Sequence, residues 1–219
     1  MIVVGLSHRS APIGVRERLA VNREDLPTVL ARFRAIDGVS EAMVLSTCNR
    51  MEVYIESDLD PLRQRQLKDR VARALGELGG RDVLPHLMNA AGDDALRHLF
   101  RVASSLDSLV LGEPQILGQL KEAIVAATKA GTMAGRLSTV MRSAVQVAKR
   151  VRTKTTIGSG QVSVPSVAVD LARHIFEDLN GHTTLVIGAG EMAEAAAKLM
   201  ARAGADMLVV NRSAQRAIE

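Results

Sequence analysis

The chain has 219 residues, 47% of them hydrophobic, which is enough material for one large or two small domains with a buried core. Its single cysteine excludes an internal disulfide, and it has neither a leader-like segment nor an apolar run of about 18 residues, so we predict a cytoplasmic protein that does not span a membrane. The net charge of +4 would assist binding to a polyanion, whereas an aromatic content of 2% leaves too few rings to stack on the bases of single-stranded RNA.

The first part of the chain predicts a small α+β unit. Strands are expected over residues 1–8, 41–47 and 50–57, and helices are expected over residues 22–34, with Asn22 as N-cap, and over residues 60–78. In the third strand, Met51, Val53 and Ile55 alternate with polar neighbours, which is typical of a strand with one covered face. The only cysteine therefore lies at the corner between the second and third strands.

Helices dominate the next stretch. The spacing of apolar residues predicts several helices over residues 93–153, with breaks at residues 112–114 and 131–135. The segment IGSGQVSVP, residues 157–165, is rich in Gly, Ser and Pro and is the best candidate for a domain boundary. After it the sequence predicts a helix over residues 166–179 and then a strand, a helix and a second strand, which form a βαβ unit.

A glycine-rich motif lies inside this βαβ unit, directly after the strand TTLVI. Its residues are Gly188, Ala189, Gly190, Glu191, Met192 and Ala193. In dinucleotide-binding folds the first glycine makes the tight turn, the second lets a pyrophosphate approach the backbone, and a third small residue allows helix and strand to pack closely. Because strand, motif, helix and second strand occur in the right order, we predict a dinucleotide site; a tight turn without a ligand is the alternative.

Residues at the end of the second strand indicate which dinucleotide binds. An NAD site places an acidic residue about 20 positions after the motif, where it accepts a hydrogen bond from the ribose 2′-hydroxyl. This chain has Asn211, Arg212 and Ser213 there, and an arginine beside a hydroxyl suits a 2′-phosphate, which a carboxylate would repel. The sequence therefore predicts NADPH as the cofactor; the alternative is that Arg212 only points into solvent.

The cysteine lies in the sequence LSTCNR, between Thr47 and Asn49 and two residues before Arg50. A lone cysteine is commonly a small buried hydrophobe. At a strand corner beside a cation, however, Cys48 would be favoured as a thiolate. A thiolate can attack an activated carbonyl to form a thioester, which hydride from a nicotinamide reduces to an aldehyde. The residues alone leave both interpretations open.

Three segments of the chain resemble the glutamyl-tRNA reductase family. They are GLSHRSAP (residues 5–12), STCNR (residues 46–50) and HLFRVASSLDSLVLGEPQILGQLKEA (residues 98–123), of which LGEPQILGQ is the most specific. The resemblance continues through the GAGEM motif to the end of the chain. It implies an oxidoreductase that uses NADPH to convert glutamyl-tRNA to glutamate-1-semialdehyde and free tRNA, the first step of tetrapyrrole (porphyrin) synthesis from glutamate.

The resemblance also implies roles for individual residues. Cys48 is similar to the family's nucleophile and His98 to its active-site histidine, although residue type alone favours a packed or surface histidine at that position. The residues expected to hold the glutamyl group are Thr47, Asn49, Arg50, Ser108, Glu113, Pro114, Gln115 and Gln119. The Arg50 guanidinium offers two parallel donors to a carboxylate, and Glu113 with the two glutamines suits the substrate amino group and carbonyls. Without the resemblance, LGEPQILGQ is only a helix break with a solvated Glu113.

Members of the family are roughly twice as long as this chain, so the resemblance implies a truncated chain that lacks a helical dimerisation domain. We predict an α+β catalytic, glutamyl-tRNA-binding domain with a helical second half over residues 1–156, followed by a partial Rossmann-like α/β NADP-binding domain over residues 157–219. We expect this chain to lack full reductase activity. The implied partners of the full-length parent are glutamyl-tRNA, a second copy in a homodimer and glutamate-1-semialdehyde aminomutase. A non-catalytic tRNA-binding or regulatory fragment is the alternative function.

The remaining charged and metal-ligating residues give weaker signals. A basic run near the boundary suits either tRNA phosphates or a solvated helix end; its members are Lys149, Arg150, Arg152 and Lys154. The four histidines other than His98 lack metal-ligand spacing, and with one cysteine the sequence predicts no metal site. These histidines are His8, His86, His174 and His182.

Overall fold

A computed structural model describes residues 1–158, 163–213 and 215. The chain forms two compact units, Met1–Ile157 and Gly158–Glu219. Part of the expected boundary segment, residues 159–162, lies outside the described residues. No helix among the described residues is both long enough and apolar enough to cross a membrane.

The first unit is built on an antiparallel sheet with the strand order β2-β3-β1-β4. The strands are β1 (Ile2–Ser7), β2 (Glu41–Ser46), β3 (Arg50–Glu56) and β4 (Met88–Ala91). The connecting helices are α1 (Ile13–Arg16), α2 (Leu26–Arg34) and α3 (Pro61–Gly79), with 3₁₀ turns at Glu17–Leu19 and Arg81–His86. If α1 and α2 are counted as one helical connection, the elements of this unit follow one another in the order βαββαβ. This is the order found in ferredoxin-like folds. The predicted α+β unit is therefore present, with a fourth strand that the sequence analysis missed.

The starts of α2 and α3 are capped differently. Asp60 caps α3, because its carboxylate accepts hydrogen bonds from the backbone N–H groups of Leu62 and Arg63 at 3.0 Å. The prediction of Asn22 as the N-cap of α2 is wrong. The Asn22 carbonyl instead accepts hydrogen bonds from Asp25 and Leu26, at 3.2 and 3.1 Å, which makes a turn before the helix begins.

The second half of the unit is helical, as predicted. It contains α4 (Gly92–Ala103), α5 (Gln115–Lys129), α6 (Arg136–Lys154) and a final 3₁₀ turn, Thr156–Gly158. All seven residues of β3 are buried, so the prediction of one covered face is wrong. The reason is that α4 and α6 contact the sheet at β1 and β3, and the polar side chains of β3 are buried together with their partners. One of these, Glu56, faces the N-terminal ammonium group at 3.4 Å.

The free edge of β2 is joined to the helical half. The backbone N–H of Ala42 donates to the carbonyl of Thr132 at 2.8 Å. The Glu41 carboxylate accepts hydrogen bonds from the backbone N–H groups of Ala134, at 2.7 Å, of Leu137, at 2.8 Å, and of Gly135. Glu41 therefore caps α6 from a strand that is more than ninety positions away in the chain.

We expect Glu41→Ala to lower the free energy of unfolding by about 1–2 kcal/mol, because it removes the acceptor for the first N–H groups of α6. Burial alone would raise the pKa of Glu41, but the backbone N–H donors outweigh it and hold the pKa below its usual value. The contribution is therefore complete above the unfolded-state pKa and is lost as the pH falls through the folded-state pKa. Urea unfolding measures it, with Glu24→Ala as the control at an exposed glutamate. A deficit that stays constant from neutral to acidic pH would contradict the capping role.

The second unit contains the predicted βαβ succession. Its elements are α7 (Val164–Phe176), β5 (Thr183–Ile187), α8 (Glu191–Arg202) and β6 (Asp206–Val210). Strands β5 and β6 pair in parallel, and α7 begins with a capping box between Ser163 and Ser166, two residues earlier than predicted. One face of the two strands is exposed, at Leu185, Ile187, Leu208 and Val210.

Candidate active site

The corner between β2 and β3 is closed by Thr47. Its Oγ1 accepts hydrogen bonds from the backbone N–H groups of Asn49 and Arg50, at 3.2 and 3.1 Å. Its own backbone N–H donates to the Arg50 carbonyl at 2.8 Å. These bonds place Cys48 at the tip of the corner, where it is exposed. The interpretation of Cys48 as a small buried hydrophobe is therefore wrong.

The segment after β1 packs against this corner from the other side. The backbone N–H of His8 donates to the Asn49 carbonyl at 2.8 Å. The Arg16 Nε donates to the Cys48 carbonyl at 3.4 Å, and its Nη1 donates to the Ala11 carbonyl at 2.7 Å. The thiol is thus carried by a backbone that two residues of this segment, His8 and Arg16, hold in place.

Arg50, predicted to contact the substrate, is almost completely buried, with 2% of its surface exposed. Its Nη1 donates to Glu52 Oε1 at 2.7 Å, and its Nη2 donates to the carbonyl of Asp107 and to Asp107 Oδ2, the latter at 3.3 Å. Both terminal nitrogens therefore bind protein acceptors and join β3 to the segment after α4. Whether Arg50 also holds a substrate carboxylate stays a prediction.

Glu52 is the residue that the sequence analysis missed. It has no exposed surface, and its carboxylate accepts hydrogen bonds from Arg50, from the Tyr54 hydroxyl at 2.6 Å and from His98 Nε2 at 3.0 Å. The only signal in the sequence is that Arg50, Glu52 and Tyr54 alternate on one face of the strand. The network links His98 on α4 to the strand that follows the cysteine corner.

The pKa values of this network follow from its contacts. Burial alone would raise the pKa of Glu52, but the hydrogen bond from His98 and the charge of Arg50 outweigh it and lower the pKa. Burial, followed by the charge of Glu52, raises the pKa of Tyr54 well above its usual value. Glu52 is therefore an ionised acceptor and Tyr54 a neutral donor at neutral pH.

A second segment, residues 104–114, lies between α4 and α5. The Ser105 hydroxyl donates to the Glu113 carbonyl at 2.6 Å, and the backbone N–H of Gly112 donates to the Ser105 carbonyl at 3.1 Å. Gly112 has φ +82°, and a Cβ there would lie 2.0 Å from the Ile157 carbonyl oxygen, so only glycine fits. The segment is thus folded back on itself and packed against the end of the first unit.

Arg152 holds this segment in place. Its Nη1 donates to the Glu113 carbonyl at 3.0 Å and its Nη2 to the Gly112 carbonyl at 2.8 Å. Neither interpretation of the basic run fits Arg152, because its donors are used inside the protein. The other three basic residues, Lys149, Arg150 and Lys154, are exposed.

The structure distributes the remaining predicted residues over the start of α5 and the segment before it. Glu113 is buried rather than solvated, and Ser108 is buried next to Asp107. Pro114 and Gln115 are exposed where α5 begins, and Gln119 is half-buried one turn later. Gln119 also lines a cavity of about 710 Å³ beside Ser46, the residue before the cysteine corner. The Arg50–Asp107 contact joins the corner to the Ser108 segment.

The glycine motif of the second unit makes a tight turn between β5 and α8. Gly188 has φ +106°, which requires glycine, and its backbone N–H donates to the Val210 carbonyl at 2.7 Å. Gly190 has an ordinary φ of −88°, and no atom of the described chain lies within 4 Å of where its Cβ would be. A side chain at position 190 would therefore cause neither backbone strain nor a clash within the chain. It would, however, block the close approach of a pyrophosphate to the start of α8, which is a reason for glycine at this position.

The residues after β6 remain near the surface. Asn211 Nδ2 donates to the Ser213 carbonyl at 2.9 Å, which folds the chain over immediately after the strand. Arg212 and Ser213 are exposed. Their side chains are thus accessible to a ligand at the end of β6.

Comparison with known proteins identifies the family. Residues 4–155 match the family model described as the N-terminal domain of glutamyl-tRNA(Glu) reductase. The chain belongs to the glutamyl-tRNA reductase family. The resemblance found in the motifs is thereby confirmed, and with it the predicted fold class of an α+β unit followed by the start of a Rossmann-like unit. Residues 170–219 match a second model, described as shikimate/quinate 5-dehydrogenase.

Individual relatives match the whole chain. The glutamyl-tRNA reductase of Sorangium cellulosum is 56% identical over 99% of this chain and 44% of its own length. That of Solibacter usitatus is 46% identical over 100% of this chain and 52% of its own length. The solved structure of glutamyl-tRNA reductase from Methanopyrus kandleri is 36% identical, with a TM-score of 0.63, and the match covers 99% of this chain and 50% of that one. The chain spans about half the length of the curated relatives it matches.

Proposed function

We propose that this chain carries the acyl-transfer site of a glutamyl-tRNA reductase. The Cys48 sulfur attacks the ester carbonyl of glutamyl-tRNA, and a sulfur–carbon bond forms as the carbon–oxygen bond to the terminal ribose breaks. The leaving alkoxide takes up a proton, which gives free tRNA and a glutamyl thioester on Cys48. The observation that carries the proposal is the exposure of Cys48 at a corner whose backbone is fixed by Thr47 and Arg16.

The glutamyl group is held, in this proposal, by residues on either side of the Arg50–Asp107 contact. Those from the corner are Thr47, Asn49 and Arg50, and those from the second segment and α5 are Ser108, Glu113, Pro114, Gln115 and Gln119. Support comes from the hydrogen bonds that join the two groups through Arg50. His98 acts next to them as the active-site histidine, oriented by Glu52.

We further propose that the second unit binds NADPH. Residues 188–193 would receive the pyrophosphate at the start of α8, and Asn211, Arg212 and Ser213 would receive the ribose 2′-phosphate; the open space at Gly190 and the exposure of Arg212 support this. When bound, NADPH supplies the hydride that conversion of the glutamyl group to glutamate-1-semialdehyde requires. The catalytic domain in this proposal is residues 1–156 and the NADP-binding domain begins at residue 157.

We expect Arg212→Asp to weaken the binding of adenosine 2′,5′-bisphosphate by about tenfold or more, because repulsion replaces a charge-assisted contact to the 2′-phosphate. Binding of adenosine 5′-phosphate should change little. Calorimetric titration of the chain measures both affinities, with Arg202→Asp as the control at another exposed arginine of the same unit. Equal losses for the two nucleotides would argue against a 2′-phosphate contact.

The full-length protein would have further partners. A homodimer and an aminomutase that takes up glutamate-1-semialdehyde belong to the proposal for the whole enzyme. Within tetrapyrrole synthesis that enzyme would perform the first step from glutamate.

The decisive experiment is incubation of the purified chain with glutamyl-tRNA, followed by mass spectrometry. We expect a glutamyl adduct on Cys48 that hydrolyses slowly to glutamate, together with free tRNA. Addition of NADPH should yield no glutamate-1-semialdehyde, because the described residues of the second unit form a sheet of two strands, which is too small to position the nicotinamide. If neither adduct nor deacylation is detected, the proposal fails in favour of a non-catalytic tRNA-binding fragment.

A further inference from the structure

Two buried side-chain atoms among the described residues have no hydrogen-bond partner, His8 Nδ1 and Ser108 Oγ. Buried polar atoms in folded proteins are almost always paired, because an unpaired one costs about 1–3 kcal/mol. Ser108 is already part of the proposed glutamyl site, and only 8% of its surface is exposed. His8 has no role so far.

The residues that carry the two unpaired atoms lie on segments that are joined to each other. Arg9 and Asp107, the chain neighbours of His8 and Ser108, form an ion pair at 3.1 Å. The backbone of His8 also binds the Asn49 carbonyl, one residue after the cysteine. Asp107 binds Arg50 at the other end of the corner, so both segments contact the corner that carries Cys48. A polar group of a substrate bound at the corner is the natural partner for the two unpaired atoms.

The charges around His8 indicate what kind of group this is. The charged groups that act on His8 are Arg9 and Arg16 from the segment after β1, Arg50 from β3 and Asp107 from the segment after α4. Glu52 is shared by three donors, and Asp107 binds both Arg9 and Arg50. Three arginines and one carboxylate act on His8, and this positive surplus favours an anionic ligand.

Burial, and next the charge of Arg50, hold the pKa of His8 below its usual value. The imidazole is therefore neutral at neutral pH and carries one proton, which Nδ1 can donate. The Ser108 hydroxyl is also a donor. Two neutral donors in a cationic surrounding suit a carboxylate better than a carboxamide, whose NH₂ group would face a donor.

We propose that His8 is a specificity-determining residue, whose Nδ1–H binds, with the Ser108 hydroxyl, the side-chain carboxylate of the glutamyl group. This rests on the proposed function, and it adds a contact to those of Arg50 and Ser108. The site then distinguishes glutamyl-tRNA from glutaminyl-tRNA by the charge and acceptor capacity of the side chain.

The test compares the deacylation of glutamyl-tRNA and glutaminyl-tRNA by the chain and its variants. His8→Gln, which places its amide near the position of Nε2, should raise KM for glutamyl-tRNA and reduce the preference for it by about tenfold or more. His8→Asn, which places an amide donor near the position of Nδ1, should keep most of the preference. If His8 only stabilised the fold, His8→Gln and His8→Asn would show the same preference for glutamyl-tRNA.

Two further variants complete the design. His86→Asn is the control, because His86 lies beside the same segment but its Nδ1 is paired with the Ser10 carbonyl at 2.8 Å; it should keep the wild-type preference. Ser108→Ala removes only a hydroxyl and should reduce the preference in the same direction as His8→Gln, so the test stands even if a His8 variant does not fold.

The outcomes separate the two proposals. If the wild-type chain is active and His8→Gln keeps the full preference for glutamyl-tRNA, the role of His8 is overturned and the proposed function stands. If His8→Gln does not fold, Ser108→Ala is used in its place, and full preference in Ser108→Ala has the same meaning. Equal losses in His8→Asn and His8→Gln would likewise overturn it. If the wild-type chain deacylates neither substrate, the proposed function fails and this inference fails with it.

Discussion

Cys48→Ser is expected to reduce the release of tRNA from glutamyl-tRNA by at least about a thousandfold and to abolish the covalent adduct. A serine hydroxyl is fully protonated at neutral pH, whereas a cysteine is a few per cent thiolate and intrinsically far more nucleophilic. The change replaces one atom on an exposed side chain, so neither packing nor the hydrogen bonds of the corner are altered. Mass spectrometry and a deacylation assay with radiolabelled glutamate measure the two effects.

The matched control for this variant is its stability. Because Cys48 is exposed, the free energy of unfolding of Cys48→Ser should remain within about 0.5 kcal/mol of wild type. A variant of normal stability that still deacylates glutamyl-tRNA at the wild-type rate would exclude Cys48 as the nucleophile.

Glu52→Gln is expected to lower the free energy of unfolding by about 3–5 kcal/mol, the cost of removing one partner from a buried ion pair. The variant leaves Arg50 buried with a single charged partner, and one amide oxygen must replace a carboxylate that serves Arg50, Tyr54 and His98. Activity should fall as well, because His98 loses the acceptor that orients it. Urea unfolding and the deacylation assay measure the two losses.

The pH dependence of this effect has a definite sign. The three donors hold the pKa of Glu52 below its unfolded-state value, so its contribution is complete above that value and is lost as the pH falls through the folded-state pKa. The difference between wild type and Glu52→Gln should therefore shrink in acid. Tyr54→Phe is the control, because it removes one donor from Glu52 without removing the charge, and it should cost clearly less. If Glu52→Gln lowers the free energy of unfolding by no more than Tyr54→Phe does, the Glu52 carboxylate is not the group that holds the network together.

The elements set by local patterns could be predicted from the sequence. The strands that flank Cys48 follow from alternation and β-branched residues, and α3 follows from its apolar spacing. The βαβ unit follows from a motif in which each glycine has a separate reason. Cys48 itself was placed at a strand corner because the pattern breaks there. In each case the information lies within about ten residues of the feature.

The features that could not be predicted depend on contacts between distant segments. Glu52 looks like a solvent-facing residue until α4 brings His98 over the second face of the sheet. Arg152 looks like a surface cation until its helix meets the carbonyls of residues 112 and 113. His8 gives no signal of its own, because its position is defined by Asn49, Arg9 and Asp107 together. Contacts of this kind join residues that are far apart in the chain, so no short stretch of the sequence contains the information needed to predict them.

The cap that Glu41 places on α6 has a consequence for how the first unit unfolds. The sheet and the helical half are joined at this cap, at the Ala42–Thr132 hydrogen bond and at the Arg50–Asp107 contact, and each connects residues 57 or more positions apart. Neither half can open without breaking bonds that complete the other. Residues 1–157 therefore behave as one cooperative unit, and a protease cut between β4 and α5 would leave two fragments of which neither keeps the thiol site assembled.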